Sequence, residues 1–249
     1  MSLFSFQGKV WAGERTAAGK LLKPQWAGNV PTMTLQLATE SSNKTESFSG
    51  LRMQYGRLRR GKAATLNMVF DEWLPQNIAL AIWASQLNVP GSTVTGEPFP
   101  DGVLEGDYVR LDHPFISALA ITDSAGTPAP LPTANYRLES ANAGLIEILD
   151  PGAFIQPFKA AYTYAERESF TMFTAAPPER YILLDGINTE TDEPVIVTLY
   201  RCSFDPVTDL ALINDEYGNF SLTGSVLYDV VNARDANFGG FGRIDQKAA

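Results

Sequence analysis

His113 is the only histidine of the chain and Cys202 its only cysteine, and these two counts decide most of the catalytic question. A metal site or catalytic dyad that needs two imidazoles has no second ring, and a centre built from several thiolates has no second sulfur. Hydrolysis by a Ser-His-Asp triad would have to recruit His113, but no Gly-x-Ser-x-Gly elbow occurs, and Gly224-Ser225 falls inside a run that reads as a strand. Pro114 follows His113 and marks a loop. The glycines of Phe238-Gly239-Gly240-Phe241-Gly242 do not join a strand to a helix, as a phosphate-cradling loop requires. Carboxylates gather at Asp71 and Glu72, at Glu190 and Asp192, and at Asp215 and Glu216, each group in a turn or at a helix start. None has the Asp-x-Asp-x-Asp-Gly spacing of a calcium loop. A carboxylate pair that converges only in space is the one catalytic arrangement left open. The expectation is a protein that is not an enzyme and holds no cofactor or metal.

Charge points elsewhere. The formal charge is −9, which disfavours an outer surface that grips nucleic acid, because affinity for phosphate comes from Lys and Arg releasing counterions. A wall that DNA slides past without sticking is compatible with it. Within this acidic chain Arg57, Arg59, Arg60 and Lys62 form one dense basic cluster, with Tyr55 as the only aromatic close by, too few for a single-strand stacking platform. Two readings stand: a solvated hairpin tip, or a contact that meets acidic surface on another copy and sets the register between subunits.

The elements that must carry these residues are mostly strands. Thr, Val, Ile, Tyr and Phe are spread along the whole chain, and 249 residues suffice to bury a core without staples. From Thr32 to Thr39 Met33, Leu35 and Leu37 alternate with Thr34, Gln36 and Ala38, the period of a strand with one buried face. Leu66, Met68 and Phe70 alternate with Thr65 and Asn67 in the same way. Between these runs, residues 40–62 read as a long protruding hairpin loop. One helix is expected over about Pro75 to Ser85, with Pro75 in its first turn and Asp71 and Glu72 near its positive end. Residues 89–106 read as a loop or junction. Short strands are expected at 108–111, 117–122, 136–139, 144–149 and 158–164, and stronger ones at 181–184, 194–204 and 219–228, with Asp185-Gly186-Ile187-Asn188 as a turn. Residues 232–249 read as an extended or disordered C-terminal arm. No run of about 18 apolar residues occurs, and the first ten residues lack the features of a leader, so the expectation is a protein without a membrane span, made in a cytoplasm.

Several ordered segments resemble the major tail tube proteins of long-tailed, siphovirus-like bacteriophages. Gly28-Asn29-Val30-Pro31 leads into the alternating strand, followed by Glu46, Ser49-Gly50-Leu51-Arg52, Ala63-Ala64-Thr65-Leu66 and Asn77-Ile78-Ala79-Leu80-Ala81. A second stretch runs from Tyr181 through Asp185-Gly186-Ile187-Asn188 and Pro194-Val195 to Phe204, and closes with Phe220 to Asp229. Together they cover roughly the first 85 and last 70 residues. The resemblance implies an all-β fold with one α-helix, a β-sandwich or split barrel with a protruding hairpin, as a single domain over 1–249 with 90–165 as an inserted elaboration.

It also implies a role: a virion protein forming hexameric rings that stack into a tail tube for genome passage. The implied partners are other copies of the chain, a tape measure protein, a tail terminator and double-stranded DNA in transit. On that reading Lys44, Glu46, Arg57, Arg59, Arg60 and Lys62 make the contact between rings. Alternation then turns Thr34, Gln36, Thr65 and Asn67 to the lumen and Met33, Leu35, Leu37, Leu66, Met68 and Phe70 to the protomer core. Two other readings share the strand pattern: an Ig-like or carbohydrate-binding sandwich on a virion or cell surface, with a pocket at Trp73 or Tyr108, and the inner tube of a contractile tail or related secretion apparatus.

Overall fold

In a computed structural model, residues 3–247 are described, and the chain divides into two compact units, 1–86 with 170–249 and 87–169. In chain order the first elements are β1 (Phe6–Arg15), β2 (Leu21–Trp26), β3 (Thr32–Thr45), β4 (Gln54–Phe70), α1 (Pro75–Ala81), β5 (Ser85–Val89), β6 (Ser92–Pro98), β7 (Tyr108–Arg110) and β8 (Ile116–Thr122). They are followed by β9 (Tyr136–Ser140), β10 (Leu145–Ile148), β11 (Lys159–Tyr164), β12 (Arg167–Thr171), β13 (Glu179–Asn188), β14 (Glu193–Phe204), β15 (Phe220–Val226) and β16 (Gly242–Gln246). Among the described residues the fold is all-β with one short α-helix, and the strands whose register is given below pair antiparallel.

The first unit is built on one sheet of order β2-β1-β13-β14-β15-β4-β3. It forks at β14. Val195 to Leu199 pair with β16, whereas Cys202 to Phe204, on the same strand, pair with β15. The expected arm at 232–249 is therefore corrected in part: Gly242–Gln246 is a sheet strand, held by backbone bonds that a Gly-rich sequence without periodicity did not announce. Ala248 and Ala249 lie outside the described residues.

The core of this unit follows the predicted alternation. Leu66, Met68 and Phe70 are buried with Leu222, Phe220, Cys202 and Phe204, and Met33 and Leu35 pack against them. The Phe70 and Phe220 rings stack with centroids 5.3 Å apart. Burial pushes the Cys202 thiol up to about 12, so it is an inert core group rather than a nucleophile. Leu37 is the exception. It keeps the inward parity opposite Ala64, yet is 76% exposed, because beyond Leu35 the forked sheet no longer covers that face.

Helix α1 is shorter than the periodicity suggests. It starts at Pro75 but ends at Ala81, and Trp83 adopts φ +48°, which no right-handed helix accommodates. Ile78, Leu80 and Ala81 cover the core, and buried Asn77 donates from Nδ2 to the Ala27 carbonyl at 2.8 Å. Asp71 and Glu72 do not serve the helix start. Gly28 turns the chain at φ +78°, and Asn29 then donates from its backbone N to Glu72 Oε1 (3.0 Å) and from Nδ2 to Asp71 Oδ2 (2.7 Å). The Gly28-Asn29 motif is thus a latch onto the end of β4, and it aims the start of β3 alongside it.

The second unit, 87–169, has its own core. Two three-stranded sheets, β7-β10-β9 and β6-β11-β8, enclose Val109, Ile146, Ile148, Ile121, Ala160 and Tyr162. It contains the expected insertion at 90–165, with wider limits. The stretch 89–106, expected as a loop, holds β6, whose Val94 and Glu97 pair with Tyr162 and Ala160 of β11. Pairing across the sheet overrode the local Pro and Gly signal. The expected turn Asp185-Gly186-Ile187-Asn188 is likewise strand, paired on both sides with Phe6–Lys9 and Glu193–Ile196.

Candidate assembly surface

β3 and β4 form a continuous hairpin from Thr32↔Val69 out to Thr45↔Gln54. At 14 and 17 residues they are the longest strands described, and only their inner halves contribute to the core. From Leu37 outward on β3 and from Ala63 back on β4, nearly every residue is exposed. The expected protruding loop is therefore an ordered two-stranded arm. Arg57 lies opposite Asn43, Arg59 opposite Ser41 and Lys62 opposite Thr39. Lys44, Arg52, Arg57, Arg59, Arg60 and Lys62 form no ion pair among the described residues.

The arm also carries apolar side chains that the charge pattern concealed. Phe48 (81% exposed), Leu51, Met53, Tyr55 and Leu58 all face solvent, with Phe48 edge-on to Tyr55 at 6.3 Å. Their spacing around Gly50 and Gly56 has no period that would announce them in the sequence. A cluster of exposed large apolar residues on an ordered element marks a contact surface.

Glu46, expected at that contact, does something else. It is only 7% exposed and accepts from the backbone N of Phe48 (2.8 Å), Ser49 (2.8 Å) and Met53 (3.2 Å), and from the Ser49 hydroxyl. Its carboxylate is spent on the tip. The Ser49 hydroxyl and the backbone donors hold it down to about 2, well below the usual carboxylate range. A depressed acid contributes order fully above its ordinary pKa, and the contribution falls away as pH drops toward 2. Glu46→Gln is expected to speed amide exchange at Phe48, Ser49 and Met53 by about tenfold or more at pH 7, from loss of charge-assisted bonds. Exchange elsewhere in β3 and β4 stays unchanged. Equal exchange at all positions would show that Glu46 does not order the tip.

Thr34, Gln36, Thr65 and Asn67 lie on one face in two cross-strand pairs, Thr34↔Asn67 and Gln36↔Thr65. β15 extends that face, with Thr223 opposite Asn67 and Ser225 opposite Thr65, and the Thr223 hydroxyl donates to Asn67 Oδ1 at 2.8 Å. The result is a three-strand polar face without a charge at these positions. On the other face, Leu35, Leu37, Val197, Val226 and Ile244 line an apolar groove of about 510 Å³ at the fork. The outer edge of β3 has no partner strand among the described residues.

His113 lies in the second unit and Ser225 in the first. His113 stacks on Tyr164 at 3.9 Å, and Arg167 Nη2 lies 3.2 Å from its Nδ1. Ser225 is on β15. Among the described residues no group of three or more His, Cys, Asp or Glu could hold a metal ion, and no helix is long and apolar enough to cross a membrane. Trp73 and Tyr108, named for a carbohydrate pocket, fall in different units.

Residues 3–245 match a family described as protein of unknown function UCP028589. The chain belongs to that family. The match runs across both units. A search of curated proteins found no match.

Proposed function

We propose that this chain is a tube-forming structural subunit, the major tail tube protein of a long-tailed bacteriophage, assembling as hexameric rings that stack into a conduit for DNA. The observation that carries the reading is the β3–β4 arm: a long ordered hairpin with unpaired basic residues, exposed apolar side chains and an outer edge open to another strand. Such an edge invites uncontrolled pairing unless another chain closes it, and closure around a ring removes it. If each of six subunits lends about four strands, a spacing near 4.8 Å and a tilt near 40° give a backbone diameter of ~48 Å. That leaves room for a DNA duplex inside the side chains.

The polar face of Thr34, Gln36, Thr65 and Asn67, continued by Thr223 and Ser225, then lines the bore. Hydroxyls and amides offer passing phosphates neither counterion release nor strong repulsion. Lys44, Arg57, Arg59, Arg60 and Lys62 serve contacts between rings, and Glu46 shapes the tip that presents them. A tape measure protein, a tail terminator and a virion location belong to the same proposal. Electron microscopy of the concentrated protein tests it, through the presence or absence of tubes.

A further inference from the structure

The two ends of β4 carry complementary surfaces. The strand runs from Gln54, beside the hairpin tip, to Phe70, roughly 50 Å at ~3.3 Å per residue. At the far end Phe70 pairs with Phe220, next to the segment 205–219 that joins β14 to β15. This segment leaves Leu212, Ile213 (95%) and Tyr217 in solvent. Beside it, Trp73 (61% exposed) lines an open cleft of about 280 Å³ with Asp71, Glu72, Leu210, Asn214 and Phe220. The volume suits one aromatic side chain.

Charge divides along the same axis. Segment 205–219 holds Asp205, Asp209, Asp215 and Glu216 and no Lys or Arg. With Asp71 and Glu72 it sets six carboxylates at this end, none in an ion pair among the described residues. Lys44, Arg52, Arg57, Arg59 and Arg60 lie on the half of the arm toward the tip and Lys62 at mid-strand, six cations that form no ion pair among the described residues. Within one molecule the length of β4 keeps the two sets apart.

We infer that the cleft at Trp73 receives the hairpin tip of a second copy of this chain, with Phe48 seated in it and the arm's basic residues against Asp209, Asp215 and Glu216. The inference rests on the tube reading and names the surface that accepts the arm. The two surfaces are different and lie at opposite ends of one strand, so the contact is head-to-tail and repeats without closing, as a stack of rings requires. Opposite charges fix the register of the approach. The tip ordered by Glu46 lowers the cost of binding, since a preformed loop loses little freedom.

The test reverses each side in turn. Asp209, Asp215 and Glu216 are exposed, so Asp209→Lys, Asp215→Lys and Glu216→Lys together leave the fold intact by circular dichroism. This variant is expected to form no tubes. Adding Arg57→Glu, Arg59→Glu and Arg60→Glu to the same chain restores them, because both surfaces are now inverted. Independently, Phe48→Cys with Trp73→Cys gives an oxidised ladder of dimers, trimers and larger species, with buried Cys202 silent. Tubes that persist in the lysine variant, with no ladder from the cysteine pair, overturn the dock while the tube reading stands. A native protein that forms no oligomer overturns both.

Discussion

On the proposed tube reading, replacing Arg57, Arg59 and Arg60 together by Glu is expected to abolish tube formation and leave a folded monomer. The three side chains are exposed and meet no carboxylate within their own molecule, so their loss costs the monomer almost nothing. Surface substitutions away from such partners stay within about 0.5 kcal/mol. Between copies the effect is of another size. In the proposed ring stack each reversal would turn an attraction into a repulsion, repeated at every subunit, where like charges in contact work against the correct register. The expected result is an unchanged circular dichroism spectrum and thermal midpoint, with no tubes at concentrations where the native chain polymerises. Unchanged tubes in micrographs would show that the basic arm is a solvated tip.

The largest effect on stability is expected at Asp229. Its side chain is wholly buried. It receives Nε (2.8 Å) and Nη2 (2.7 Å) of Arg15 in a two-pronged contact, the backbone N of Val231 and Asn232, and Asn232 Nδ2. The bridge ties β1 to the segment after β15, 214 positions apart in the chain. Asp229→Ala leaves the mostly buried Arg15 guanidinium without a counter-charge, which costs about 3–5 kcal/mol, read as a lower denaturant midpoint with unchanged slope. The hydrogen bond from Arg15 holds the carboxyl well below its usual range. Its contribution is therefore complete above about pH 4, the ordinary carboxylate range, and drains away as pH falls toward the depressed value. Asp229→Asn should flatten that acid limb. A loss below about 0.5 kcal/mol in the Ala variant would mean the bridge is dispensable.

The sequence was informative where one rule acted alone. Leu66, Met68 and Phe70 alternate against one continuous core, and period two placed them correctly. The arm was legible from its flanking strands and its charge. What stayed hidden depended on partners distant in the chain. β16 has a Gly-rich lead-in and exists because β14 offers Val195 to Leu199 an open edge. β6 hides among Pro and Gly because β11 supplies its bonds. β1 and β2 have no clean period, and β1 is fixed by pairing with β13 nearly 180 residues later. The contact role of Glu46 is implied by the resemblance alone, and no residue spacing in the loop points to an inward carboxylate. Only the folded turn, with three backbone donors aimed inward, shows where its carboxylate goes. The exposed apolar residues of the arm and of segment 205–219 were legible as composition, but not as surfaces, since exposure is a property of the fold.

The central claim, that this chain polymerises into a tube, is tested most directly by negative-stain electron microscopy of the purified native protein at rising concentration. Tubes of one uniform width are expected, with a stain-filled central channel and a regular axial repeat from stacked rings. Monodisperse single particles at every concentration, or aggregates without a constant width, would contradict it.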